Sequence, residues 1–384
     1  MTKTIDLDAL AVELGPIFAE GTAERDTSGT FVSDHYKILK ERKVFSALVP
    51  EDLGGGGSSH RDMCNFLRII AQSCGSTALA LSMHQHLVAA AVYNHRNGRP
   101  GQALLEKVAS GELTLISTGA NDWLDSSGVC QRVDGGFRVT AKKPFASGSP
   151  AGDLFVTTAP YEDPEEGWQV LHFVLPVNAQ GVSLAGDWDT LGMRATGSET
   201  AVFEEAFVPD EAVALRRPRE GYHPAFNVVM AVAMPLIMSA YLGVAEAAAE
   251  RAKGVAAKRA EDPTTPFLLG ELINEVTLAQ VMVQSMIDIC DDYAFEMDVE
   301  TANAVLIRKT LAADAIIGTT EKALKATGGA GFYRKLGLEQ LLRDAHGAQF
   351  HPLPAKRQHH FTGQLALGLA PIVEGTAKRM RVAA

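Results

Sequence analysis

Between Arg343 and Gly363 the chain reads RDAHGAQFHPLPAKRQHHFTG, which sets His346, His351, His359 and His360 among three further cationic side chains and two prolines. Imidazole exchanges a proton near neutral pH, so such a segment suits general acid–base work or hydrogen bonding to a developing anion. His359 and His360 are adjacent and cannot share one face, whereas His351 stands alone in FHPLP and is the first catalytic candidate. A second pair, His84 and His86, falls in STALALSMHQHLV. Two residues apart on a helix, they point in different directions, and His84 is taken as the second candidate. Metal binding is not expected, because there is no HExxH spacing and no acidic ligand near the histidines. The cysteines, Cys64, Cys74, Cys130 and Cys290, are too scattered for a CxxC pair or a cysteine-based zinc site.

Three compositional regions must position these groups. Residues 1–115 carry apolar residues at helical spacing, as in DHYKILKERKVFSALV, interrupted by the run Gly54 to Gly57. That run is read as a connector, because no GK[ST] follows it as in a phosphate loop. Residues 116–222 change to short branched or alternating runs between glycines, prolines and aspartates (GFRVTAKKPFAS, DLFVTTA, WQVLHFVLP), the pattern of a central antiparallel β domain. Residues 223–384 return to helix formers and predict a C-terminal four-helix bundle. The βαβ alternation of a doubly wound dinucleotide fold is missing. A formal charge of −11 without a basic block argues against nucleic acid as a partner. The N-terminal stretch MTKTIDLDALAVELG lacks the pattern of a secretory signal, and polar residues interrupt the apolar runs, so a cytoplasmic protein without a membrane span is expected.

In this order, LKERKVFSALVPEDLGGGG, STALALSMHQHLV, WDTLGMRATGSETAVFEEAFVP and ATGGAGFYRKLGLEQLLRDAH resemble the signatures of the acyl-CoA dehydrogenase superfamily of flavoproteins over nearly the whole chain. The resemblance implies an acyl-CoA dehydrogenase-like fold, with an N-terminal all-α domain, a central antiparallel β domain and a C-terminal four-helix bundle. It also implies a homotetramer in which the flavin lies between the β domain and the bundle and reaches a neighbouring subunit. Carried onto this sequence, the flavin contacts are Ser117, Thr118 and Gly119 in ISTGAND, Ser147 and Gly148 in PFASG, Thr196 and Ser198 in RATGS, and Gly328, Gly329 and Gly331 across the subunit boundary. Hydroxyls and backbone amides at strand ends suit the edge of an isoalloxazine, and glycine lets a backbone approach closely. The flavin is FAD in the dehydrogenases of this superfamily and FMN in several of its monooxygenases. The two β-domain segments depart from the dehydrogenases, which carry Thr-Glu-Pro where this chain reads STGAND and a tryptophan where it has Phe145.

A dehydrogenase acting on an acyl thioester needs a carboxylate base for the α-proton. The superfamily's usual spacing from Arg343 lands on Pro352, its alternative position falls on Ala233, and no acidic residue occurs between Asp344 and Glu374. Three functions follow. The preferred one is a two-component monooxygenase, because the His351 segment and RATGSET resemble the dibenzothiophene-type branch of the superfamily. In that branch a separate flavin reductase delivers reduced flavin, and molecular oxygen is the co-substrate. The second is an acyl-CoA dehydrogenase that uses Glu374, in VEGT, as a relocated base and passes electrons to an electron-transfer flavoprotein. The third is a noncatalytic flavin-binding protein.

Overall fold

The computed structural model describes residues 5–118, 125–219 and 221–372. The N-terminal part is helical: α1 (Leu7–Ala19), α2 (Thr22–Ser28), α3 (Ser33–Glu41), α4 (His60–Ala71), α5 (Gly75–Arg96) and α6 (Gln102–Gly111). Side-chain caps fix two of these starts. Asp6 accepts from the Ala9 N–H ahead of α1, and Ser59 accepts from the Asp62 N–H ahead of α4. Helix α5 is apolar on nearly every face and buried through most of its length, so the histidines it carries are enclosed.

Eight strands follow: β1 (Leu115–Ser117), β2 (Val129–Val133), β3 (Gly136–Ala146), β4 (Leu154–Asp163), β5 (Gly167–Pro176), β6 (Val182–Leu184), β7 (Glu199–Pro209) and β8 (Val213–Pro218). They form one sheet in the order β6-β7-β3-β2-β4-β5-β8, with β1 also paired to β4. The expected antiparallel character needs correction, because the sheet is mixed. Strand β1 runs parallel to β4, and β2 meets β4 in parallel at Cys130 and Tyr161, while the other pairs are antiparallel. The reason is that β1 leaves α6 as a three-residue strand and reaches β4 without a hairpin between them; parallel neighbours require such a crossover.

The C-terminal part has three long helices, α7 (Ala225–Ala256), α8 (Thr265–Cys290) and α9 (Val299–Thr327), with the shorter α10 (Leu338–Ala345) and α11 (Ala355–Ala366) packed on them. Both helical parts share one apolar core, because α4 and α5 pack against α7, and the sheet has a core of its own. Helices α7 and α8 are each long and apolar enough to cross a bilayer by composition. The most apolar window of α7 is 94% buried within the chain, as a core helix should be, whereas that of α8 is 22% buried.

The three parts meet at the end of α10. Arg343 donates to both carboxylate oxygens of Asp26 (3.0 and 2.6 Å) and to the Leu191 carbonyl, while the buried Asp344 accepts from the Met193 N–H. Between them Gly192 leaves no room for a side chain, since a Cβ there would stand 2.3 Å from the Arg343 carbonyl oxygen.

Burial holds several imidazoles uncharged. His60, His84 and His86 are pushed down to about 4, and His351 to about 3. In the unfolded chain each binds its proton near ~6.5, so unfolding takes protons up below that value. Their contribution to stability is whole above that pH and is lost as pH falls towards the folded values, at about 2 kcal/mol per imidazole near pH 5. Asp344, pushed up to about 7 chiefly by burial, works with the opposite sign: its stabilisation is lost as pH rises through that range. The four histidines outweigh it on the acid side. Thermal unfolding followed by calorimetry should therefore give a Tm roughly 5–10 °C lower at about pH 5 than at about pH 7.

Candidate active site

His351 follows a turn of 3-10 helix at His346–Phe350 and precedes α11, with an extended backbone (φ −64°, ψ 146°). Its ring meets Tyr241 of α7 edge to face at 5.4 Å, and the Tyr241 hydroxyl lies 2.9 Å from Nε2. Tyr241 is buried and, among the described residues, its hydroxyl has no other partner. A buried O–H left unbonded costs free energy, so Tyr241 donates, Nε2 accepts and the proton of the neutral ring sits on Nδ1. Burial is the first cause of the depressed basicity of His351, followed by the nearby charge of Lys309 and by His86.

The two histidines of α5 play different parts. His84 Nε2 donates to the Phe45 carbonyl (2.8 Å), and its Nδ1 accepts from the Leu115 N–H (2.9 Å). Both nitrogens are therefore committed, and the ring is a strut joining α5, the loop before α4 and β1. That leaves His84 no free nitrogen with which to exchange a proton. His86 faces the other way. Its Nδ1 lies 3.4 Å from the Ser82 carbonyl, an acceptor only, so the proton sits on Nδ1 and Nε2 keeps its lone pair. It is also the last of the three causes that lower the basicity of His351. The sequence offered no signal for choosing between the two; the choice depends on the azimuth of α5 against β1.

On the β side, the turn after β3 and the turn before β7 interlock. The Gly148 N–H donates to the Thr196 carbonyl (2.9 Å), and Ser147 Oγ lies 2.7 Å from Ser198 Oγ, which lies 2.7 Å from Thr196 Oγ1. Thr196 donates to the Met193 carbonyl (2.9 Å). This last bond sets the direction of the relay. Thr196 can only accept from Ser198, Ser198 therefore accepts from Ser147, and Ser147 Oγ is left with free lone pairs. Beside it Phe145, at φ 64° and 46% exposed, meets Trp188 edge to face. Thr118 is buried and paired with Thr157 (2.6 Å) across the parallel strands, next to Ser117 at the end of β1. Arg194 donates from Nε to the Asp26 carbonyl and from Nη1 to the Thr190 carbonyl and Asp189, which ties it to the domain junction.

The glycines at the end of α9 lie elsewhere on the chain. Gly328 closes the helix at φ 58°, and a Cβ on Gly331 would stand 2.0 Å from Thr327 Oγ1, so packing within the turn already requires glycine there. Gly329 faces open space, and Phe332 and Tyr333, which follow Gly331, are 91% and 66% exposed. Gly119 and Glu374 lie outside the described residues. Among the described residues no cluster of histidine, cysteine or carboxylate side chains could hold a metal ion.

The strand-end relay ends in a hydrogen-bond acceptor beside an aromatic pair, and His351 and His86 are uncharged imidazoles. That donor and acceptor set fits a planar heteroaromatic cofactor carrying ring N–H groups, such as a flavin. The prediction that follows separates the two histidines of α5. His84→Ala should lower stability by about 2–4 kcal/mol in denaturant unfolding, because a carbonyl and an N–H lose their buried partner. His86→Ala should change it by less than about 1 kcal/mol.

Comparison with known proteins gives two family models, Acyl-CoA dehydrogenase, N-terminal domain, over residues 16–112, and Acyl-CoA dehydrogenase, C-terminal domain, over residues 236–354. A probable FMNH2-dependent monooxygenase of Pseudomonas putida is 28% identical, over 66% of this chain and 66% of its own length. An amino sugar nitrososynthase of Streptomyces peucetius is 26% identical over 94% of this chain and 93% of its own. A mitochondrial isovaleryl-CoA dehydrogenase of Oryza sativa is 24% identical over 85% and 83%. Among solved structures, KijD3 in complex with FMN and a dTDP-amino-keto sugar superposes with a TM-score of 0.87 at 24% identity, covering 97% of this chain and 96% of that one.

Proposed function

We propose, from the premise that this chain belongs to the acyl-CoA dehydrogenase family and is a flavin-dependent oxidoreductase, that it works as a monooxygenase on reduced flavin and molecular oxygen. The observation that carries the reading is that His351, an uncharged imidazole, stands in a stretch where no acidic residue occurs between Asp344 and the end of the described residues, with a second uncharged imidazole, His86, on α5. Abstraction of an α-proton from a thioester calls for a carboxylate or comparable base, whereas oxygen transfer calls for a hydrogen-bond donor to a developing anion and a nearby proton acceptor.

When bound, reduced flavin supplies the two electrons that activate oxygen. Ser147 Oγ, its lone pairs left free by the Thr196–Ser198 relay, would accept a hydrogen bond from a ring N–H of the bound flavin. His351 presents Nδ1–H to stabilise negative charge, with Tyr241 fixing the tautomer from behind. His86 presents the Nε2 lone pair as a hydrogen-bond acceptor for the substrate. Thr118 and Ser117 would border the ring, and Gly328, Gly329 and Gly331 would contact the cofactor of a second subunit. Burial of His86 limits access of water, which would otherwise divert the oxygen chemistry to hydrogen peroxide. FMN is favoured over FAD by the names of the relatives, and a flavin reductase is the implied electron source. The exposed apolar face formed by Phe267, Ile273, Leu278 and Val281 of α8 with Leu311 of α9 supports assembly of several copies, in keeping with a homotetramer.

The test loads purified protein with FMN, reduces it without oxygen and then admits oxygen in the presence of sulfur or amino-sugar nucleophiles. Wild type should couple oxygen consumption to product formation. His351→Ala and His86→Ala should each lower product formed per oxygen consumed by about tenfold or more, with peroxide making up the difference. Bleaching of the oxidised flavin by an acyl-CoA in the absence of oxygen would instead establish the dehydrogenase reading and return attention to Glu374.

A further inference from the structure

Lys309 lies within α9, where a lysine normally carries its ammonium outward to water. Here it is 1% exposed and forms no ion pair among the described residues. Its Nζ instead points at three backbone carbonyls of one segment: His351 at 2.7 Å, Leu353 at 3.2 Å and Gln349 at 3.5 Å. Pro352 and Pro354 deprive the segment of N–H groups that would pair it with a neighbour. The carbonyls therefore need donors from outside, and an ammonium supplies three. An apolar residue at this place in α9 would be the cheaper choice for stability alone, since a buried unpaired charge costs several kcal/mol.

We propose that Lys309 is a positioning residue for His351: its ammonium pins the carbonyls on either side of that imidazole and so sets where the ring stands against Tyr241 and His86. The inference rests on the reading of His351 above only for its kinetic consequence. Burial also draws the lysine down to about 8, within reach of ordinary buffers. A neutral amine keeps two N–H groups for three carbonyls, so the clamp loses a bond as pH rises through that value. The ionisable groups that act on the ensemble are Asp314 on the same helix, His351 on the clamped segment, and His86 and Tyr241, which face His351 from α5 and α7.

The experiment compares wild type, Lys309→Met and Lys309→Arg by hydrogen–deuterium exchange of the flavin-free protein, and by the pH dependence of oxygen consumption after loading with reduced FMN. In Lys309→Met, amides of residues 346–358 should exchange at least tenfold faster while those of α4 stay as in wild type. The oxygen reaction should slow by about tenfold and lose its alkaline limb near the lysine's titration. Lys309→Arg, permanently charged, should restore protection and carry that limb to higher pH. Unchanged exchange in Lys309→Met overturns the proposal outright. Faster exchange with an unchanged rate and pH profile reduces the lysine to a structural role and likewise overturns it. If Lys309→Met does not fold, wild type decides: selective loss of protection at residues 346–358 between about pH 7 and 9 supports the clamp, and uniform protection rejects it. An oxygen reaction indifferent to His351→Ala, with the segment still loosened by Lys309→Met, would instead locate the failure in the assignment of His351.

Discussion

The geometry of the site hangs on one corner, where Arg343 and Asp344 at the end of α10 tie the two helical parts to the sheet. Arg343 grips both oxygens of Asp26 from α2, and Asp344 accepts from the Met193 backbone just ahead of β7. Neither bond belongs to an exposed pair of the kind that contributes little, because Asp26 and Asp344 are both buried. Breaking either would leave a buried charge or donor without a partner, which is far more costly than never having formed the pair. The Met193 carbonyl is in turn the acceptor that orients the Thr196–Ser198–Ser147 relay. One corner therefore fixes both the hydroxyl row on the sheet and the start of the segment that brings in His351.

Much of the fold was legible in the sequence because its signals are local and periodic. The helical spacing in α4 and α5, the glycine- and proline-bounded strands and the return to long apolar helices at Ala225 all follow from one-dimensional patterns. The parallel pairing of β1 with β4 was not legible. A three-residue strand carries no directional signal, and its partner is chosen by tertiary packing of α6 and α5 around it.

The candidate site shows the same division. His351 could be singled out because proline on one side and a break in helical spacing on the other mark an exceptional segment. The hydroxyls at 147, 196 and 198 were found through family resemblance, but their relay, and the free acceptor at its end, emerges only when two turns far apart in the chain are interlocked. His84 and His86 are chemically identical on paper, and only the carbonyl of Phe45 and the N–H of Leu115 decide which one is consumed as a strut. Tyr241 and Lys309 gave no sequence signal at all. A tyrosine and a lysine in amphipathic helices ordinarily read as core and surface, and their meaning lies in the non-helical segment that crosses them.

That crossing also explains why Lys309 is neutralised by carbonyl dipoles when a carboxylate would stabilise it more simply. An acidic partner beside the ammonium would stand within a few ångströms of His351, favour the imidazolium form and offer a base to any bound thioester. Carbonyl oxygens solvate the ammonium without adding a net charge, so the positive field of the lysine is left to hold the imidazole neutral along with burial. The lack of a carboxylate in the 345–372 stretch and the burial of an unpaired lysine beneath it are then two sides of one electrostatic arrangement. Charge is kept on the helix behind the site, and the face towards the cofactor keeps groups that donate and accept hydrogen bonds without carrying charge.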